Sequence, residues 1–259
     1  ILGPLLFLLC INDFRLCLSS GTTQHYADDT IILYKDRSIK RMQHTMKRDI
    51  ANVYDWLCAN RLSLNASKTE VLLFHPRNKP CDARLTLKIK SRKIFISNKV
   101  KYLGVIIDSH LCWRHHLIEL SKKLSRVNGL LSRIRQYVDQ NTIKSLYFSL
   151  FHSHIAYGCL AWGIACNTEL TRVFKLQQQA IRIITFTDYY APTSTLFSQL
   201  GILKLEDVIK LNAFLFMHDW YNKKLPGAFN NFFHHKSSTK QTRISDQGHL
   251  FSPTRRTEK

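Results

Sequence analysis

The chain has 259 residues, with 38 lysines and arginines against 18 aspartates and glutamates and a formal net charge of +20. Such an imbalance points to a polyanionic partner, and because the surplus runs through the whole chain it suits a cleft that tracks a duplex better than a detachable basic arm. With 45% hydrophobic residues the chain can bury a sizeable core, its length suggests two structural units, and no apolar stretch is long enough to be a membrane span.

Residues 1–11 are an apolar run that opens Ile1-Leu2-Gly3-Pro4. A signal peptide would need a basic n-region and an initiating methionine, which the run does not show. Asp13 and Arg15 interrupt it too soon for a span. A buried helix is the expectation, with Pro4 in the first turn, where its missing N–H costs nothing. Next, residues 22–26 and 30–34, rich in β-branched and aromatic side chains, flank Ala27-Asp28-Asp29 and read as strand, turn, strand. Neighbouring carboxylates on a regular strand point to opposite faces. At the tip of a tight turn both can approach one cluster of cations; a solvated Asp-Asp turn is the plain alternative.

Ile39, Met42, Met46, Ile50, Val53 and Leu57 recur every three or four residues as one apolar helical stripe, with Lys40, Arg41, His44, Lys47 and Arg48 on the wet face. Core packing accounts for that stripe. After a polar break at 76–82, Leu85, Leu87 and Ile89 alternate, then Ile94 and Ile96, with Ser91-Arg92-Lys93 as the turn of a hairpin. Within residues 100–108, Gly104 allows a nucleic-acid backbone or another strand close approach, or marks a strand bulge.

The second half is helical in texture. Leu117, Leu120, Leu124, Val127, Leu131, Ile134 and Val138 trace a helix whose outer face carries Arg114, Lys122, Lys123, Arg126, Arg133 and Arg135. Further helical patterns run over 142–157, 169–186 and 206–221, and His152 and His154 read as packing or surface residues rather than ligands. From Asn222 the chain turns polar, basic and aperiodic, the composition of a mostly flexible tail. Seven cysteines without a Cys-x-x-Cys pair support neither a disulfide framework nor a zinc knuckle, and Cys112 with His115 and His116 lacks a matching second half. A reducing, intracellular compartment fits that usage.

These blocks together resemble the reverse transcriptases of non-LTR (LINE-like) retrotransposons, nearest to jockey-type elements. Tyr26-Ala27-Asp28-Asp29 resembles their catalytic tetrapeptide, motif C. The stretch from Leu2-Gly3-Pro4-Leu5-Leu6-Phe7 to Ile11-Asn12-Asp13 resembles the second half of motif B. Asn65, Lys68 and Thr69 ahead of Val71 resemble motif D, and residues 100–108, with Tyr102-Leu103-Gly104 at their centre, resemble the primer grip, motif E. Viral RNA polymerases usually carry Gly-Asp-Asp at the hairpin. Group II intron proteins share the tetrapeptide, but their C-terminal region does not resemble residues 142–221. The resemblance covers residues 1–221 and is strongest over 1–108.

The resemblance implies an α+β fold: an incomplete right-hand polymerase palm over 1–108, its antiparallel sheet carrying the catalytic hairpin and packed by helices. A helical thumb and extension over 109–221 and a basic tail over 222–259 would follow. It implies an RNA-directed DNA polymerase that works by two-metal nucleotidyl transfer. Asp28 would be the bridging ligand and Asp29 the auxiliary ligand of two Mg²⁺ or Mn²⁺ ions. Lys68 would sit by the incoming nucleotide's phosphates, as a charge clamp or as proton donor to the pyrophosphate. Contacts to substrate or nucleic acid would come from Gly3, Pro4, Tyr26, Ala27, Asn65, Tyr102, Leu103, Gly104, Lys122, Lys123 and Arg126. The partners would be an RNA template, a DNA primer in an RNA–DNA duplex, and a deoxynucleoside triphosphate. The setting would be an intracellular ribonucleoprotein, in the nucleus or cytoplasm. The family's motif A aspartate and its Pro-Gln-Gly-Ser are not in the sequence, so the expectation is that this polypeptide alone does not polymerise. A non-enzymatic nucleic-acid-binding remnant and a decayed transposon relic are the competing readings.

Overall fold

The computed structural model describes residues 2–78, 87–89, 92–94, 96–230, 232–235 and 250–251. Its contacts divide the chain into two units, Ile1–His116 and Leu117–Lys259. The fold mixes helices with short strands, an α+β composition.

The first unit opens with α1 (Leu2–Ile11), a 3₁₀ turn (Asn12–Cys17), the hairpin strands β1 (Thr22–Tyr26) and β2 (Asp29–Leu33), and α2 (Ile39–Ala59). The apolar stripe of α2 serves two clusters. Met46 packs with Leu87 and Ile94, while Val53 packs with Ile11 and Phe14. Between them the buried Asp49 accepts hydrogen bonds from the Ser19 backbone N–H, at 3.1 Å, and from the Ser19 hydroxyl. That contact ties α2 to the segment entering β1. The helix α1 forms as expected but is not buried: Leu2, Leu5, Leu6, Leu8 and Leu9 are exposed, and only Phe7 and Ile11 reach the cluster. A helix apolar all round needs cover on every side, and the described residues cover one.

Six further strands follow: β3 (Val71–Leu72), β4 (Leu87–Ile89), β5 (Arg92–Ile94), β6 (Ile96–Ser97), β7 (Lys99–Tyr102) and β8 (Val105–Asp108). Among the described residues they do not join into the single antiparallel sheet expected. The ladders are two-stranded, β1–β2, β4–β5 and β7–β8 antiparallel and β3–β6 parallel. Ile89 pairs with Arg92, so Arg92 and Lys93 belong to a strand rather than to the turn; positions 90–91, like Leu85, lie outside the described residues. Ile96 does not continue the ladder of Ile94 but pairs with Val71 of β3. Residues 99–108 form a hairpin, β7 paired with β8.

The second unit is helical: most of α3 (Arg114–Ile134), then α4 (Gln140–Leu146), a π turn (Tyr147–His152), α5 (Ser153–Ala156), α6 (Cys159–Trp162), α7 (Asn167–Ile184), α8 (Ser194–Leu200) and α9 (Leu205–Tyr221). The four long helical patterns are present, the second extended by a capping residue: Asp139 accepts hydrogen bonds from the Asn141 and Thr142 backbone N–H groups. Buried Leu117, Leu124, Leu131, Tyr147, Phe151, Trp162 and Ile181 make the core. At its centre the fully buried Gln177 donates to the Tyr147 hydroxyl and the Leu203 carbonyl, each at 2.9 Å, and accepts from the Leu205 N–H at 2.8 Å. Gly163 belongs to this packing too: a Cβ there would come within 2.5 Å of the Cys159 carbonyl and 2.8 Å of the Ile209 side chain.

Two features of this half carry no long period in the sequence. The helix α8 has no long periodic pattern; its buried Phe197 and Leu200 give only one helical repeat. Beyond Asn222, Phe229 and Phe233 pack on Phe216 and Trp220 of α9, and the Trp220 indole donates to the Phe229 carbonyl at 3.1 Å. Aromatic side chains can clad a helix without any periodicity of their own. Strand β9 (His234–His235) then pairs with β10 (Leu250–Phe251), while 236–249 and 252–259 lie outside the described residues. No helix among the described residues is long and apolar enough to cross a membrane.

Candidate functional site

Tyr26 pairs with Asp29, so the β1–β2 hairpin closes through two residues, Ala27 and Asp28. Ala27 takes φ +51°, a left-handed conformation that a side chain disfavours and that tight hairpin turns demand. Asp28 is thereby carried at the tip and Asp29 begins β2, both exposed. Below the tip, His25 and Thr30 share a hydrogen bond of 3.0 Å across the ladder. The Phe14 ring meets His25 at 5.2 Å and Trp56 of α2 at 5.3 Å, both edge-on, and Ile32 packs into the same cluster. An isolated hairpin is marginal in water; this one is anchored from its base while its acidic end stays in solvent. Tyr26 is 65% exposed beside it.

A second two-residue turn lies close by. Tyr102 pairs with Val105, and Leu103 and Gly104 between them have φ +45° and +80°, both positive as a primed hairpin turn requires. Gly104 therefore sits in the turn itself rather than in a strand bulge. The Tyr102 phenol is raised above its ordinary pKa, first by burial and then by the charge of Asp29. Tyr102 and Asp29, assigned to different motifs, are thus neighbours.

The remaining sequence-chosen residues are more scattered. Asn65 builds its loop: its side-chain oxygen accepts from the Ser67 N–H at 3.2 Å, the Ser67 hydroxyl at 2.6 Å and the Lys68 N–H at 3.3 Å, and its carbonyl accepts from the Thr69 hydroxyl at 3.0 Å. The loop presents Lys68 to solvent. Gly3 and Pro4 lie in the first turn of α1, and a Cβ on Gly3 would meet nothing within 4 Å. Lys122, Lys123 and Arg126 are exposed on α3, in the second unit, with Lys122 paired to Glu119 at 2.8 Å.

Asp108, at the end of β8, is engaged in its own loop. Its carboxylate accepts from the His110 and Cys112 N–H groups at 3.1 Å, from the Cys112 thiol at 3.2 Å and from the Trp113 N–H at 2.8 Å. Burial works to raise its pKa, but these hydrogen bonds outweigh it and hold the group below the usual carboxylate range. His116 accepts from the Ile106 N–H at 3.3 Å. Cys112 and His116 are therefore occupied in building the fold, and among the described residues no group of three or more His, Cys, Asp or Glu is arranged to hold a metal. Asp28 and Asp29 still fit a magnesium site of the open kind, which takes one or two carboxylates, several waters and the phosphate oxygens of a substrate.

Residues 1–107 match the reverse transcriptase (RNA-dependent DNA polymerase) family. The chain is 23% identical over 221 residues to the probable RNA-directed DNA polymerase from transposon X-element of Drosophila melanogaster, covering 82% of this chain and 24% of that protein. It is 25% identical over 189 residues to the RNA-directed DNA polymerase from mobile element jockey of Drosophila funebris, covering 71% of this chain and 20% of that one. A third relative, the probable RNA-directed DNA polymerase from transposon BS of D. melanogaster, is 25% identical over 227 residues, 81% of this chain and 24% of its own length. The chain is similar to the RNA-directed DNA polymerases of jockey-like elements. It spans about a quarter of the length of these curated relatives. The similarity to these relatives reaches past residue 107 into the helical unit, since the matched lengths exceed the N-terminal part. No solved structure matches the chain.

Proposed function

We propose that this chain supplies the catalytic hairpin and primer-side elements of an RNA-directed DNA polymerase, with residues 1–108 as part of a palm and the following helices as its thumb and extension. The observation that carries the reading is the two-residue turn that holds Asp28 and Asp29 in solvent beside Tyr102. The partners would be an RNA template, a DNA primer and a deoxynucleoside triphosphate, in an intracellular ribonucleoprotein setting that follows from the polymerase reading alone.

Divalent ions, when bound, lower the pKa of a primer 3′-hydroxyl and neutralise charge on the triphosphate. The protein's own part is to hold them. Asp28, at the tip, would be the principal ligand of those ions and Asp29, one residue on, the auxiliary one. The phenol of Tyr102, near Asp29, is protonated at neutral pH like any tyrosine and is a hydrogen-bond donor there. Lys68, on the loop that Asn65 braces, brings an ammonium group to the leaving phosphates.

The test is primer extension on an RNA template with Mg²⁺, in a reading frame of the relatives' full length that carries these residues. Asp28→Ala is expected to lower extension by at least about three orders of magnitude, the loss of a group on which the metal electrostatics depend. Extension that survives the substitution would remove the hairpin from the chemistry.

A further inference from the structure

Within the second unit, α3 and α7 enclose an open groove of about 870 Å³. The α3 wall alternates hydroxyl and cation, Ser121-Lys122 and then Ser125-Arg126; the α7 wall carries Thr171-Arg172 and then Lys175. Four residues along a helix advance about 6 Å, comparable with the spacing of successive phosphates on one strand. Lys122 and Arg172 have carboxylate neighbours, Glu119 at 2.8 Å and Glu169 at 3.6 Å, whereas Arg126 and Lys175 have no ion pair among the described residues. Ser121 is 8% exposed and its hydroxyl has no hydrogen-bond partner among the described residues, a buried polar group that a ligand oxygen would satisfy.

The two helices run parallel, which sets what lies farther along the seam. Asn128 of α3 donates to the Leu176 carbonyl at 2.9 Å and the Gln179 side chain at 3.2 Å, both on α7. Just past the helix ends, the Arg135 guanidinium lies 5.6 Å from the Phe186 ring. The loop that follows α7 exposes Phe186, Tyr189 and Tyr190, the last by 90%. Arg182 lies 5.9 Å from the Tyr189 ring and donates to the Ala191 carbonyl at 2.9 Å, which pins that loop to α7. A cationic, hydroxyl-lined groove therefore gives way along the same helix pair to an aromatic cluster held by arginines.

The geometry points to a single-stranded nucleic acid on the α3–α7 seam, its phosphates in the groove and its unpaired bases on Phe186, Tyr189 and Tyr190. The aromatic end decides against a duplex, whose bases present no free faces for stacking. Arg126 to Arg135 spans about 14 Å of helix, a distance a few nucleotides cover. The inference deepens the polymerase reading and rests on it, adding a site for a strand away from the hairpin.

The test is fluorescence anisotropy of the full chain with a labelled 12-nucleotide oligo(U) RNA and with an RNA duplex of equal length. Arg172→Gln with Lys175→Gln is expected to weaken oligo(U) binding about tenfold. It should also reduce the salt slope by about 1.4, at about 0.7 per lost phosphate contact on a single strand. Tyr189→Ala with Tyr190→Ala is expected to weaken it about tenfold at an unchanged salt slope, the signature of lost stacking. Lys223→Gln with Lys224→Gln, an exposed pair elsewhere in the unit, should change affinity less than about twofold. All substituted residues are exposed, and circular dichroism checks that each variant is folded. The proposal is overturned if the control pair weakens binding as much as the groove pair, or if the duplex binds as tightly as oligo(U) and ignores the tyrosine pair. Asp28→Ala should leave oligo(U) binding unchanged, so failure of the hairpin chemistry and failure of the groove are read in different assays.

Discussion

Tyr102 feels the charge of Asp29: after burial, that carboxylate is what pushes the phenol above its ordinary pKa. Each residue closes the ladder of its own hairpin, Asp29 against Tyr26 and Tyr102 against Val105, and each stands beside a two-residue turn. Asp29→Asn removes the negative neighbour and is expected to lower the Tyr102 pKa toward its ordinary value. Millimolar Mg²⁺ should do the same in the unaltered chain and have no such effect in the Asn variant. Ring-labelled tyrosine NMR, assigned with Tyr102→Phe, reads both; a Tyr102 titration indifferent to Asp29→Asn would separate the two hairpins.

Backbone strain at Ala27 offers a different measurement. Its φ of +51° is tolerated by glycine, costs a residue with a Cβ about 1 kcal/mol, and suits a β-branched residue worst. Ala27→Gly is expected to leave stability unchanged or raise it slightly. Ala27→Val should lower it by about 1–2 kcal/mol in urea unfolding. Equal stability of the three variants would mean that the turn relaxes freely.

The Asp108 loop sets a dependence on acid. Because the folded-state pKa is depressed, the stabilisation is fully present above the unfolded value of about 3.9 and is lost as pH falls below it, through the folded value. Leu111 and Trp113 in this loop have φ of +52° and +63°, conformations that the Asp108 hydrogen bonds hold in place. Asp108→Asn keeps the shape but loses the charge, and should cost about 2 kcal/mol at neutral pH and progressively less as pH falls below 4. A cost that did not change with pH would assign the effect to packing.

Gln177 makes three buried hydrogen bonds across α7, the π turn and the approach to α9. Replacing it with leucine leaves the Leu205 N–H and the Leu203 carbonyl without partners in the core, and is expected to cost about 3 kcal/mol. Gln177→Glu should be worse still at neutral pH, since a buried carboxylate would face the Leu203 carbonyl. Thermal unfolding checks the order.

Much of this was legible in the sequence, for identifiable reasons. The stripes of α2 and α3 are long and periodic, so their existence and inward faces follow from spacing alone. The Asp28-Asp29 turn was legible from its β-branched flanks. Other features depend on contacts that spacing does not encode. The motif resemblance singled out Tyr102, but its nearness to Asp29 arises from the fold of the first unit. Gly104 looked like a bulge because the positive φ of Leu103, its partner in the turn, has no residue signature. The short strands β3 and β6 pair in parallel across a long stretch of chain, which no alternation pattern announces. The packing of Phe229 and Phe233 on α9 was hidden because aromatic cladding has no period.

The shortness of the acidic turn has an evolutionary corollary. With Tyr26 paired directly to Asp29, inserting or deleting one residue at the tip while the two-residue closure is kept would turn the side chains of β2 to the opposite face and draw Ile32 out of its cluster. The identity of the tip residues can drift while the hairpin survives; its length cannot. Among descendants of this sequence, frame-preserving indels should therefore gather in other segments and spare this one.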